Sequence, residues 1–80
     1  MYYYGRLRDL REDADLTQRD VGKLLNTTQQ QYAKYELGVQ EIPTHHLIVL
    51  ADYYRVSLDY IVGRAEWQDV EQWRAHHKNK

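Results

Sequence analysis

The chain has 80 residues, no cysteine, and 11 Lys plus Arg against 12 Asp plus Glu, for a formal net charge of -1. That length holds one small domain near the lower limit for a self-sufficient core, so a partner subunit often completes it; the missing thiols exclude disulfides, thiolate metal sites and cysteine nucleophiles and suit a reducing, cytoplasmic compartment. The charge balance excludes a general polyanion binder, and any nucleic-acid affinity must come from cations gathered on one face.

The opening "MYYYGRLRDL" lacks the continuous apolar stretch of a signal peptide, and no run further on reaches the length of a membrane span. Tyr3, Leu7, Leu10 and Ala14 recur at helical spacing, with Arg6, Arg8, Asp9, Glu12 and Asp13 around the other faces, which predicts a first helix over 4–14. In "ADLTQRDVGKLL", Thr17 and Asp20 form the pattern of a capping box and Leu16 with Val21 a hydrophobic staple. They predict a second helix over 18–25 with Val21, Leu24 and Leu25 inward. Asn26 suits the left-handed residue that ends a helix.

"TTQQQYAKYELG" opens a third helix over 28–37. Thr28 can cap it, and Gln31 can reach back to the cap amide as the second half of a capping box. Gln29 and Gln30 take the first two helical positions, where side chains point forward from the amino end. Tyr32 and Tyr35 share one face, while Gln30, Ala33, Lys34 and Leu37 lie roughly opposite. Gly38 is a natural stop. The loop "VQEIPTHH" leads through Pro43 into a fourth helix with Leu47, Leu50, Ala51 and Tyr54 inward. Ser57 caps a short fifth helix, "LDYIV", closed by Gly63, and Tyr35, Leu24, Leu50 and Tyr54 are assigned to the core. Beyond it Trp67, Val70 and Trp73 repeat every three residues before a frayed "HHKNK". The pattern is an all-α bundle of five short helices with a short sixth, dividing into a domain over 1–64 and an extension over 65–80.

Two capped helices joined by a tight turn, the second with polar side chains at its amino end, form the helix-turn-helix pattern of a major-groove reader. The stretch "LRDLREDADLTQRDVGKLLNTTQQQYAKYELG" with "IP" and "LIVLADYYRVSLDYIVG" resembles the Cro/repressor-type (XRE) helix-turn-helix domains of bacterial and phage regulators, over residues 4–63. The resemblance implies that Arg11 and Glu36 pair between the first and third helices. It also implies that "TTQQ" begins a recognition helix like that of certain lambdoid phage repressors, with Gln18 supporting it and touching phosphate. Three positions depart from the pattern. Gly22 replaces an alanine where the second and third helices cross, Tyr32 replaces an aliphatic residue, and Val39, Gln40 and Glu41 stand where Lys or Arg is usual.

Glutamine presents a donor and an acceptor together and so matches adenine N7 and N6 in the major groove. Gln29 and Gln30, with Lys34 and Ala33 beside them, are the candidate base readers. Thr17, Gln18, Arg19, Lys23, Thr28 and Gln31 are the candidate backbone contacts, joined by Arg6, although any one cation alone reads rather as a solvated surface charge and Gln31 rather as a cap than a contact. The histidine pairs 45–46 and 76–77 lack ligand spacing, because neighbours on a helix point about 100° apart. No metal or cofactor is expected, and with no nucleophile elbow or Gly-rich phosphate loop in the chain an enzyme is not expected either.

The expected function is a sequence-specific regulator of double-stranded DNA, a repressor acting as a homodimer on an inverted repeat. Dimerisation is placed on Leu58, Tyr60 and Ile61 with the Trp67, Val70, Trp73 stripe, and folding of that stripe back over the first helix is the alternative. The competing function is a protein-interaction module that uses the same fold to bind a protein partner, as the acidic balance and the cation-free loop after Gly38 would suit.

Overall fold

Leu7 and Leu10, three residues apart, set the inner face of α1 (Gly5–Asp13), with Leu7 wholly buried. The helix belongs to a computed structural model that describes residues 4–76, so Tyr3 and His77 of the sequence reading lie outside the described residues. α1 stops one residue earlier than expected: Ala14 is its C-cap and exposed, and Asp15 turns the chain at φ 57°.

The Thr17 cap forms as its residues predict. Its hydroxyl accepts from the Asp20 amide at 3.0 Å, the Asp20 carboxylate accepts from the Thr17 amide at 2.9 Å, and α2 (Gln18–Leu24) follows. Val21 and Leu25 are buried, but Leu24 is 37% exposed and belongs to the surface, a correction to its core assignment. At 100° per residue the buried Leu25 and Gly22 fall on one side of Val21 and Leu24 falls about 60° to the other. Asn26 at φ 61° makes the turn, after which α3 (Gln29–Leu37) buries Tyr32, Tyr35 and Glu36 and ends on Gly38 at φ 79°.

α4 (Thr44–Tyr54) seats Leu50 and Ala51 in the core and closes on Arg55 in the left-handed region. Ser57 caps α5 (Leu58–Ile61), its hydroxyl accepting from the Tyr60 amide at 3.0 Å. α6 (Trp67–His76) then folds back onto the bundle: Val70 is 1% exposed within the core cluster. The Arg74 guanidinium donates to the carbonyls of Arg55 at 2.9 Å and Tyr54 at 3.0 Å, satisfying orphan acceptors at the end of α4. The described residues hold six α-helices and no strand. No helix among them is long and apolar enough to cross a membrane.

Candidate nucleic-acid interface

The α2–α3 corner owes its closeness to Gly22. A Cβ built there would stand 3.0 Å from the Thr28 carbonyl oxygen and 3.2 Å from the Gln29 amide nitrogen. The Thr27 amide donates to the Gly22 carbonyl at 2.8 Å, and the Thr28 hydroxyl accepts from the Gln31 amide at 3.0 Å, which fixes where α3 begins. Gln29, Gln30 and Lys34 are exposed on its outer side with Ala33 half-buried between them.

The rear of α3 is held by charge as well as by packing. Arg11 donates to both Glu36 oxygens, at 2.7 and 3.2 Å, and to the Leu16 carbonyl at 3.0 Å. Gln18 donates its amide to Glu36 at 3.1 Å. Burial alone would raise the Glu36 carboxyl, but the hydrogen bonds from Arg11 and Gln18 outweigh it and hold the group below its ordinary value. The Arg11 guanidinium is correspondingly raised, mainly by its hydrogen bond to Glu36. Beside them the hydroxyls of Tyr32 and Tyr54 are buried with no hydrogen bond of ordinary geometry among the described residues, although the Tyr32 hydroxyl lies close enough to the Glu36 carboxylate to help hold it below its ordinary value. Burial, then the charge of Glu36, pushes the Tyr54 phenol up to about 12 and the Tyr32 phenol higher still.

The sequence-predicted residues fall into distinct groups. Arg19, Lys23, Thr28 and Thr17 are exposed around the amino end of α3 and the outer side of α2, and neither Arg19, Lys23 nor Lys34 forms a salt bridge among the described residues. Gln18 is half-buried and committed to Glu36 through one N–H, so it braces α3 from behind. Gln31 does not complete a capping box; its side-chain amide donates to the Gln40 side chain and ties the loop after Gly38 to α3. Arg6 is not a groove-side cation: it donates to the Tyr60 carbonyl at 2.8 Å and to the Ala65 carbonyl, pairs with Glu66 at 3.3 Å, and lies 4.1 Å from the Tyr60 ring centroid. Val39, Gln40 and Glu41 are exposed, so the loop adds an acid and no cation to this side.

The expected dimer set is corrected in part. Ile61 and Val70 are each 1% exposed in the core of one chain and offer nothing to a second copy. Tyr60 lies half-buried beneath Arg6 and against the edge of Trp67, 5.5 Å between centroids. Leu58, Trp67 and Trp73 keep exposed apolar surface. Sequence reasoning missed Gln40, whose tie to Gln31 depends on the path of the loop, and Arg74, whose role needs the fold-back of α6. Among the described residues no group of three or more His, Cys, Asp or Glu is placed to hold a metal ion.

The Helix-turn-helix family model matches residues 7–61. The chain is 33% identical over 76 residues to the HTH-type transcriptional regulator YobD of Bacillus subtilis (strain 168), covering 95% of this chain and 68% of that protein. It is also 33% identical over 61 residues to the HTH-type transcriptional regulator ImmR of the same organism, covering 76% of this chain and 48% of that one. Among solved structures it is similar to a transcriptional regulator from Listeria innocua, with a TM-score of 0.70 at 28% identity over 89% of this chain and 70% of that chain.

Proposed function

Because the chain belongs to the Cro/repressor-type (XRE) helix-turn-helix family of DNA-binding transcriptional regulators, we propose that it represses transcription by binding an inverted repeat in double-stranded DNA as a homodimer. The relatives bear regulator names, and the same role is inferred here for a cytoplasmic protein of this fold. One observation carries the reading: Gln29 and Gln30 stand exposed at the first two positions of α3 while Tyr32, Tyr35 and Glu36 fix its rear. A helix so held can enter the major groove with two bidentate amides leading, each worth about 1–3 kcal/mol of discrimination when paired with adenine.

Thr17, Thr28, Arg19, Lys23 and Lys34 position the phosphate backbone, with Gln18 and Gln31 aligning α3 and its following loop. Leu58 and Trp73, 38% and 37% exposed, supply the apolar surface for the second copy. Two-fold symmetry then sets half-sites about 34 Å apart, one helical turn, and the bound dimer blocks polymerase. The test is selection from a randomised duplex pool at two salt concentrations. A short palindrome with adenines in each half supports the reading. A folded protein that enriches nothing at either salt would instead favour the protein-interaction module, for which Leu37 and Val39, 67% and 63% exposed, offer apolar surface beside the loop.

A further inference from the structure

A crevice of ≈ 320 Å³ opens between the carboxyl half of α1 and the returning α6, with the end of α4 and α5 as its other walls. None of its lining residues belongs to α2 or α3. One rim carries Asp9 and Asp13, a helical turn apart on α1 and both exposed. Neither forms a salt bridge among the described residues. The walls are aromatic: Tyr54, Tyr60 and Trp67, with Trp67 42% exposed. Among the described residues Arg74 is the one cation in the lining; it lies 4.9 Å from the Trp67 centroid with two donors engaged on the carbonyls of Tyr54 and Arg55, while Arg6 covers one face of the Tyr60 wall, 4.1 Å from the ring centroid.

We propose that this crevice is a binding site for small flat organic cations. The volume lies at the lower end of small-molecule sites, roughly 300–1,000 Å³, and the composition is that of such sites: apolar and aromatic walls with few polar groups set to one side. Two carboxylates without cationic partners, on the rim of a partly dehydrated cleft, favour a positive charge there more than they would in open water. A planar cation can lay its ring against Trp67 or Tyr60 and turn its charged end to α1, gaining dispersion, ring electrostatics and Coulomb attraction together. The guanidinium of Arg74, held at the opposite wall, orders the two ends of the ligand and excludes a second cation. Since α2 and α3 contribute nothing to the crevice, a ligand here does not compete with DNA for side chains.

Three probes that share a ring and differ in charge isolate the claim: benzamidine, neutral benzamide and anionic benzoate. Binding is followed by NMR at pH 7 on the full chain, through the indole N–H peak of Trp67, with Trp73→Phe used to assign it. Benzamidine should shift that peak saturably and bind at least about tenfold tighter than benzamide, with benzoate weakest. The Asp9→Asn, Asp13→Asn double variant, altered only at exposed positions, should lower benzamidine to the benzamide level without changing the fold. Equal midpoints for the three probes, a lead for benzoate, no shift with benzamidine, or an undiminished benzamidine preference in the double variant would each overturn the proposal. Loss of DNA binding in an otherwise responsive protein would leave it standing, because the readout is independent of the DNA.

Discussion

Arg11 on α1 and Glu36 on α3 form a two-point ion pair, 2.7 and 3.2 Å, with side chains only 13% and 5% exposed. Arg11 also holds the Leu16 carbonyl and Gln18 also holds Glu36, so one carboxylate fastens α1, the start of α2 and α3 together. The pair borders a crevice lined also by Arg8 and Leu37, which keeps it partly in reach of solvent. The pitch of α3 is thereby set from behind, which leaves its outer side chains free for a ligand.

Removing one member of that pair strands the other. Arg11→Ala is expected to lower stability by about 2 kcal/mol in urea unfolding, below the ~3–5 kcal/mol of fully enclosed pairs because of the bordering crevice. Arg8→Ala, which breaks the exposed Arg8–Glu12 contact, should leave the midpoint unmoved. Equal effects for the two variants would remove the structural role assigned to the pair.

The same groups set the pH limits. Glu36 titrates below its ordinary value of 4.5, so its stabilising contribution is present above pH 4.5 and is lost as pH falls through the lower, folded value. At the other end Tyr32 and Tyr54 are kept neutral, Tyr54 up to about 12 against an ordinary 10.0. For Tyr54 the contribution is whole below pH 10.0 and is lost as the pH rises through about 12. Thermal melts across pH should show Glu36→Gln flattening the acid limb and Tyr54→Phe the alkaline one; wild-type slopes in both variants would contradict this.

The Tyr32 hydroxyl is buried beside the Glu36 carboxylate without a hydrogen bond of ordinary geometry among the described residues. Its removal in Tyr32→Phe relieves a desolvation cost while keeping the ring, and a gain of up to about 1 kcal/mol is expected. A loss of that size would mean that the hydroxyl has a working partner.

Gly22 faces backbone, not a movable side chain, across the α2–α3 corner. Gly22→Val must part the two helices, and the expected cost is about 2–3 kcal/mol. A variant as stable as the parent in chemical unfolding would show that the corner yields.

The helices were legible where a local signal sets them: the Thr17 capping box, the Thr28 and Ser57 caps, Asn26 and Gly38 at positive φ, and Leu7, Leu10 and Val21 at helical spacing. The Arg11–Glu36 pair came from family resemblance, since 25 residues separate its members and periodicity says nothing across that gap. Gln31 was misjudged because Gln40, nine residues on, outcompetes its own cap amide. Arg6 was misjudged because its carbonyl partners lie 54 and 59 residues away. Ile61 and Val70 looked like an interface since an apolar stripe at helical spacing reads alike whether it meets a second chain or its own.

Whether Gln29 and Gln30 read sequence is measured directly by the affinity of a Gln29→Ala, Gln30→Ala double variant for the selected duplex and for a scrambled one of equal length, at matched salt. Both side chains are exposed, so the fold should persist, confirmed by an unchanged melt. Preference for the selected site is expected to fall by about 2–6 kcal/mol per half-site while binding to the scrambled duplex stays the same. A folded variant that keeps its full preference would contradict base reading by these glutamines.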